Sequence, residues 1–192
     1  MITDPDMQSA ALATDRITAI HEAGHATVAR MLGLTVSHLE IVGNRRELGS
    51  CHTLRLPEGE PVAREHALED ALLVSCAGVV AESLERGERE WDESSPDLNQ
   101  AVRIALELTG DCGRAHALLL RTRRRLRRAL SHHWDAVEAL AAALMESRRL
   151  DGREVDEVLT PLLYPPPGAA RSRRRRRRPG RRRGEALQSQ RQ

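Results

Sequence analysis

The sequence predicts a mainly α-helical domain with a small β-hairpin, followed by a disordered, Arg-rich C-terminal tail. Apolar residues recur three or four positions apart along most of the chain, the spacing of helices that bury one face. Phe is absent, Tyr occurs once and Trp twice. The core must therefore be built from Leu, Val, Ile, Ala and Met, which suits helices packed through small and branched side chains better than an aromatic-rich β-sandwich. From Ala169 onward the chain turns to Arg with Gly and Gln, too poor in large apolar residues to form a core. The expected division is a flexible N-terminus over 1–13, one folded domain over 14–164 and a disordered basic tail over 165–192.

Taken in order, the first helix should start at Thr14 or Asp15, either of which can cap it, and stop at Leu32 before Gly33. Ile17, Ile20, Gly24, Val28 and Met31 form its inward stripe, with His21 and His25 beside it. Residues 36–42 and 51–56 alternate apolar and polar side chains around Gly43, Asn44 and Gly49, the pattern of a hairpin with a long connection. Two strands alone are marginal, so the hairpin must pack on the helices. Pro61 opens a second helix from its first turn and Gly87 closes it. Ser95 and Pro96 open a third, ending near Gly110. Further helices are expected over 113–130 and 131–149. Asp151 and Glu154 have capping-box spacing for a short last helix to about Leu159, after which Pro161 and Pro165-Pro166-Pro167 end the fold.

Charge is unevenly distributed. Residues 1–168 hold 19 Arg and 27 acidic residues, a net of −8, whereas residues 169–192 hold 11 Arg and one Glu, a net of +10. Arg173 to Arg178 and Arg181 to Arg183 could meet the phosphates of nucleic acid or anionic lipid. No aromatic residue interleaves them for stacking on bases, so a solvated tail is the preferred reading and nucleic acid is not expected as a partner. Leu118, Leu119, Leu126 and Leu130 interrupt the Arg121 to Arg128 run at helical spacing, which makes that run the wet face of a helix. His132 and His133, adjacent on a helix, point about 100° apart and should lie at the surface. Cys51, Cys76 and Cys112 are odd in number and form no C-x-x-C pair, as expected of thiols in a reducing compartment. Asp4 and Asp6 precede any apolar stretch, against a signal peptide. The longest apolar run, Ala71 to Ala81, is interrupted by Ser75 and is too short to span a bilayer. No transmembrane segment and a cytoplasmic location are expected.

The chemistry-bearing motif is His21-Glu22-Ala23-Gly24-His25. Residues four apart share one helix face, so the two imidazoles can converge on one ion, with the intervening Glu on the adjacent side. Zinc held there would lower the pKa of a water to about 7, and Glu22 would take its proton. Eight His and eighteen Glu in the chain make the pattern alone a weak indicator. Gly24 in a helix interior costs about 1 kcal/mol and points to a close packing partner. A third ligand is needed. The position six residues after His25 is Met31, which leaves Glu82 and Asp97 as candidates.

His21-Glu-Ala-Gly-His-Ala26 resembles the zinc helix of the FtsH-type ATP-dependent zinc metalloproteases. Ala77-Gly-Val-Val-Ala-Glu82-Ser-Leu-Glu-Arg-Gly87 is similar to that family's Ala-Gly-x-x-Ala-Glu-x-x-x-x-Gly helix. Ser94-Ser-Pro-Asp97-Leu-Asn-Gln-Ala101 resembles its Ala-Ser-Asn-Asp segment, and Leu150-Asp-Gly-Arg-Glu154-Val its C-terminal Leu-Asp-Gly-x-Glu-Ile. Val36 to Leu56 matches the place of its hairpin beside the cleft. The resemblance covers about residues 14–160, in the same order. It implies a helical zincin domain, Asp97 as third zinc ligand and Glu82 as the group that orients a ligand histidine. It also implies a polypeptide substrate, a separate AAA ATPase partner and assembly into a homo-oligomer. Departures are Val79 and Val80 after the glycine, a hairpin loop without the usual Pro, and neither the family's membrane anchor nor its ATPase module. With no Lys in the sequence, a Walker A loop is excluded from these residues.

The expected function is a zinc metalloendopeptidase acting on unfolded or flexible polypeptides, with His21, His25 and Asp97 on the metal and Glu22 as base. The competing expectation is a catalytically silent, zinc-stabilised interaction domain whose basic tail binds nucleic acid or an anionic surface.

Overall fold

A computed structural model describes residues 5–41, 50–53, 61–88 and 94–166. The expectations for the hairpin connection, for residues 54–56 and for the tail beyond Pro166 lie outside these residues. In chain order the elements are α1 (Pro5–Met31), β1 (Val36–Glu40), β2 (Ser50–Thr53), α2 (Pro61–Glu85), α3 (Pro96–Thr109), α4 (Cys112–His132), α5 (Trp134–Ser147), β3 (Arg149–Asp151) and α6 (Gly152–Leu163).

Helix α1 is the axis of the fold. From Thr18 to Ala29 every residue except His21 is buried, because α2, α5, α6 and the sheet all pack on it. A helix covered on all sides needs small or apolar residues all round, and Ala19, Ala23, Ala26 and Ala29 supply them. Ile20, Gly24 and Val28 lie inside as the stripe predicts, but Met31 is 36% exposed because it falls where the helix leaves its neighbours. The helix starts at Pro5, well before Thr14, and Thr18 Oγ1 donates to the Thr14 carbonyl (3.1 Å), so Thr14 sits inside the helix rather than capping it. The residues between, including Ala10, Ala11 and Ala13, contain nothing that stops a helix.

Gly24 marks a close approach of α1 to α2. A Cβ built there would lie 2.6 Å from the Ala81 Cβ and 3.0 Å from the Ala77 carbonyl oxygen. The glycine thus exchanges helix propensity for a close crossing. Helix α3 ends as expected, with Gly110 left-handed and its N–H donating to the Leu106 carbonyl. On α4, Leu119, Thr122, Leu126 and Leu130 are buried, while Arg121, Arg124, Arg125 and Arg128 are exposed. Helix α5 closes on Arg148 at φ 63°, an uncommon conformation for a residue with a Cβ. Two contacts hold it: the Arg148 guanidinium pairs with Asp15, and its carbonyl accepts from the Ile41 N–H at 2.8 Å.

The hairpin belongs to a three-stranded antiparallel sheet of order β2-β1-β3. Strand β3 escapes the sequence pattern because three residues, of which only Leu150 is buried, cannot show alternation. Asp151 then makes the predicted capping box with Glu154, but α6 runs to Leu163, past Leu159, with Pro161 inside it. Proline near a helix end forfeits few hydrogen bonds, and burial of Leu159 and Leu163 holds this last turn. Gly152 opens α6 directly against β1, where a Cβ would collide with the Val36 carbonyl oxygen. Among the described residues Trp134 is the one aromatic in the core; the rest is aliphatic.

Candidate metal centre

Three helices each deliver part of one cluster. His21 and His25 stand one turn apart on α1, with edge-to-face rings whose centroids are 4.6 Å apart. Asp97 comes from the first turn of α3, just after Pro96. Ser95 sits at the N-cap position without making a side-chain cap bond, so Pro96 alone sets the helix start. Asp97 Oδ2 lies 2.8 Å from His21 Nε2 and 3.3 Å from His25 Nε2, and the two Nε2 atoms are 2.9 Å apart. All three donor atoms fall within 4.8 Å of one another. Helix α2 forms the wall behind them. His21 Nδ1 is 2.6 Å from Glu82 Oε1, and His25 Nδ1 is 2.7 Å from the Val74 carbonyl. The other Glu82 oxygen lies 3.4 Å from Arg86.

These partners decide the tautomers. A backbone carbonyl only accepts, so His25 Nδ1 donates to Val74, and the neutral ring turns its Nε2 lone pair toward His21. The Glu82 carboxylate likewise accepts a hydrogen bond from His21 Nδ1–H. Two imidazole lone pairs and a carboxylate oxygen then point at one small region, an arrangement that repels itself unless a proton or a cation sits there. Either can relieve the repulsion. Burial alone would lower the His21 pKa, but hydrogen bonds to Asp97 and Glu82, helped by the nearby charge of Glu22, push it up to about 10. Burial works against ionising Asp97, yet its hydrogen bonds to His21 and His25 hold that carboxyl well below the usual range. Neutral imidazoles whose second nitrogens are anchored, with one carboxylate, are the donor set of a three-ligand zinc site. The residues present fit such an ion.

Gly78 makes the convergence sterically feasible. A Cβ at this position would stand 2.5 Å from both Nε2 atoms. Neither Gly78 nor the Val74 carbonyl was singled out as a site group from sequence, although Val74, Gly78 and Glu82 share one α2 face at intervals of four. Glu22 is 5% exposed, beside His21 on α1. Cys76 is buried close enough to feel the charge of Asp97. Burial first, and that charge second, push its thiol up to about 12, so it stays protonated and unreactive.

The ATP-dependent zinc metalloprotease FtsH of Pelobacter propionicus is 29% identical over 189 residues, covering 77% of this chain and 30% of that protein. The chain is similar in sequence to FtsH zinc metalloproteases. FtsH 1 of Sphaerobacter thermophilus is 28% identical over 81% of the chain and 30% of its own length, and FtsH of Rhodothermus marinus 27% over 77% and 26%. The chain thus spans about 30% of the length of the FtsH proteins it matches. No family model matches it. Among the described residues, no helix is long and apolar enough to cross a membrane.

Proposed function

We propose that this protein is a zinc-dependent metalloendopeptidase that hydrolyses peptide bonds in unfolded or flexible polypeptide segments, acting in the cytoplasm. The observation that carries the reading is the convergence of His21 Nε2, His25 Nε2 and Asp97 Oδ2 while each imidazole's other nitrogen is committed to an acceptor. The relationship to proteins named zinc metalloproteases supports it. In this reading His21, His25 and Asp97 hold the zinc, which when bound supplies the Lewis acidity for amide hydrolysis. Glu82, itself braced by Arg86, fixes the His21 ring, and the Val74 carbonyl fixes that of His25. Glu22 takes the proton of the attacking water and returns it to the leaving amine, as a general base and then a general acid. An extended substrate would add as a strand to the sheet. Since β1 is flanked by β2 and β3, the edge open to it on the hairpin side is the outer edge of β2. A separate AAA ATPase would supply segments of folded proteins, and a homo-oligomer would enclose them.

Glu22→Gln should keep stoichiometric zinc and helix content while hydrolysis of casein falls by about 10²–10⁴-fold. Asp97→Ala should lose the metal, whereas Glu82→Ala should keep it with about 10–100-fold weaker affinity. Wild-type protein carrying stoichiometric zinc that cleaves neither casein nor a random peptide library would overturn the proposal.

A further inference from the structure

Away from the metal-fitting trio, a groove of about 700 Å³ runs along the C-terminal half of α4 where α1 ends. Arg121, Arg124, Arg125 and Arg128 line it, with His132 and His133 at its far end and Met31 and Ala129 between. Helix α4 contains no acidic residue, although residues 1–168 carry a net charge of −8. The exposed face of an amphipathic helix explains why these arginines are in water, but not why they stand together without counter-charges among the described residues. Arg16, Arg30, Arg64, Arg86, Arg148 and Arg149 each reach a carboxylate on another element or turn. Among the described residues no ion pair involves Arg121, Arg124, Arg125 or Arg128. At intervals of three and four, these like charges destabilise the helix that carries them.

We propose that this groove binds a compact ligand carrying two or more phosphate groups. The argument is charge density. Arg121 to Arg128 spans about 10 Å of helix axis, and four guanidiniums within that length need several negative charges in little space. A phosphate monoester brings about −1.5 to −2 in a single group, whereas a polypeptide offers at most one carboxylate per residue. The planar fork of each guanidinium matches phosphate oxygens in pairs. The His132 and His133 rings, edge to face at 4.8 Å, add N–H donors where the arginines stop. Met31, Ala129 and the arginine stems give the floor an apolar character that suits the uncharged part of a ligand. The volume lies within the range of about 300–1,000 Å³ usual for small-molecule sites. This proposal is independent of the peptidase reading.

The test uses the full-length, zinc-loaded protein and follows the His132 and His133 ring resonances by NMR, so that binding to the arginines of residues 169–192 is not mistaken for binding here. Zinc content is measured before and after, to exclude stripping of the metal by the probe. Tripolyphosphate should shift both rings and saturate, with inorganic phosphate at least tenfold weaker. Arg121→Gln with Arg125→Gln should weaken the tripolyphosphate response at least tenfold, while Arg153→Gln on α6 leaves it unchanged. Circular dichroism checks that the variants fold; Gln is a good helix former, and Arg124→Gln with Arg128→Gln serves as the second pair. A nucleoside triphosphate that binds more tightly than tripolyphosphate assigns the site to nucleotides. Tighter binding to vesicles of phosphatidylcholine with 5% phosphatidylinositol bisphosphate than to tripolyphosphate, lost in the Arg→Gln pairs, assigns it to a headgroup. An equal response to polyglutamate, a response unaffected by the Arg→Gln pairs, or rings that do not move would each overturn the proposal.

Discussion

Gly78 sets how near the wall of α2 can come to two imidazoles, and the metal-fitting geometry depends on what this residue lacks. A methyl group here would meet both Nε2 atoms at 2.5 Å and drive the rings apart or off their rotamers. Gly78→Ala should therefore lower zinc affinity by about 10²-fold or more, with about 1–3 kcal/mol of lost stability from overpacking. Zinc titration alongside a melting curve checks both, and a variant that binds zinc as tightly as wild type would contradict the donor assignment. The histidines were legible in sequence because i, i+4 spacing is a local rule that needs no knowledge of the fold. Asp97 stood with Glu82 as a third-ligand candidate, and only the resemblance preferred it, since nothing local distinguishes it from other first-turn acids. The Val74 carbonyl could not be found at all: a backbone oxygen carries no residue signature, and its role arises from where α2 crosses α1.

Helices were easier to place than their ends. Gly87 and Gly110 ended α2 and α3 as the sequence implied, both with positive φ, whereas α1 and α6 ran past the nearest plausible cap or breaker. In each case propensity or tertiary burial overrode a local stop signal. Gly24 is the converse, a residue that weakens its helix so that two helices can touch. Gly24→Ala gains about 1 kcal/mol of propensity but forces a contact of 2.6 Å on Ala81. The net effect should be a destabilisation of about 1–2 kcal/mol, read as a lower denaturation midpoint; an increase would mean that the helices can separate at little cost. The α4–α5 junction gives a pH-dependent counterpart. His133, half-buried rather than at the open surface, is held below its ordinary pKa by burial and then by the charge of His132. The unfolded chain thus takes up this proton at higher pH than the folded one. The resulting stability is complete above about pH 6.5 and is lost as pH falls below it. His133→Asn removes this dependence, so the drop in melting temperature between pH 8 and pH 5.5 should shrink. An unchanged drop would show that the junction does not sense the proton.

At the scale of the molecule, the core does not rest on the metal cluster. Ile20, Leu39, Leu140, Leu144 and Leu159 are fully buried, and they join α1, the sheet, α5 and α6 through side chains that are not donors. Chelation should therefore leave the far-UV spectrum at 25 °C nearly intact while the melting temperature falls. With free zinc at about a thousand times its dissociation constant the lost stabilisation is about 4 kcal/mol, or about 8–15 °C for a domain of this size. Loss of helix on chelation alone would show that the aliphatic core is insufficient. The helical class and the place of the sheet were legible from periodicity; the third strand was not, because it exists through pairing with β1 rather than through its own pattern. Asp97 lies 76 residues along the chain from His21 and 72 from His25, with α2 interposed. A newly made or refolding chain cannot own this site until α1, α2 and α3 have all docked. Under the proposed zinc binding, capture of the metal would act as a clock for the slowest of those dockings, and its lag time would report when the last of them is complete.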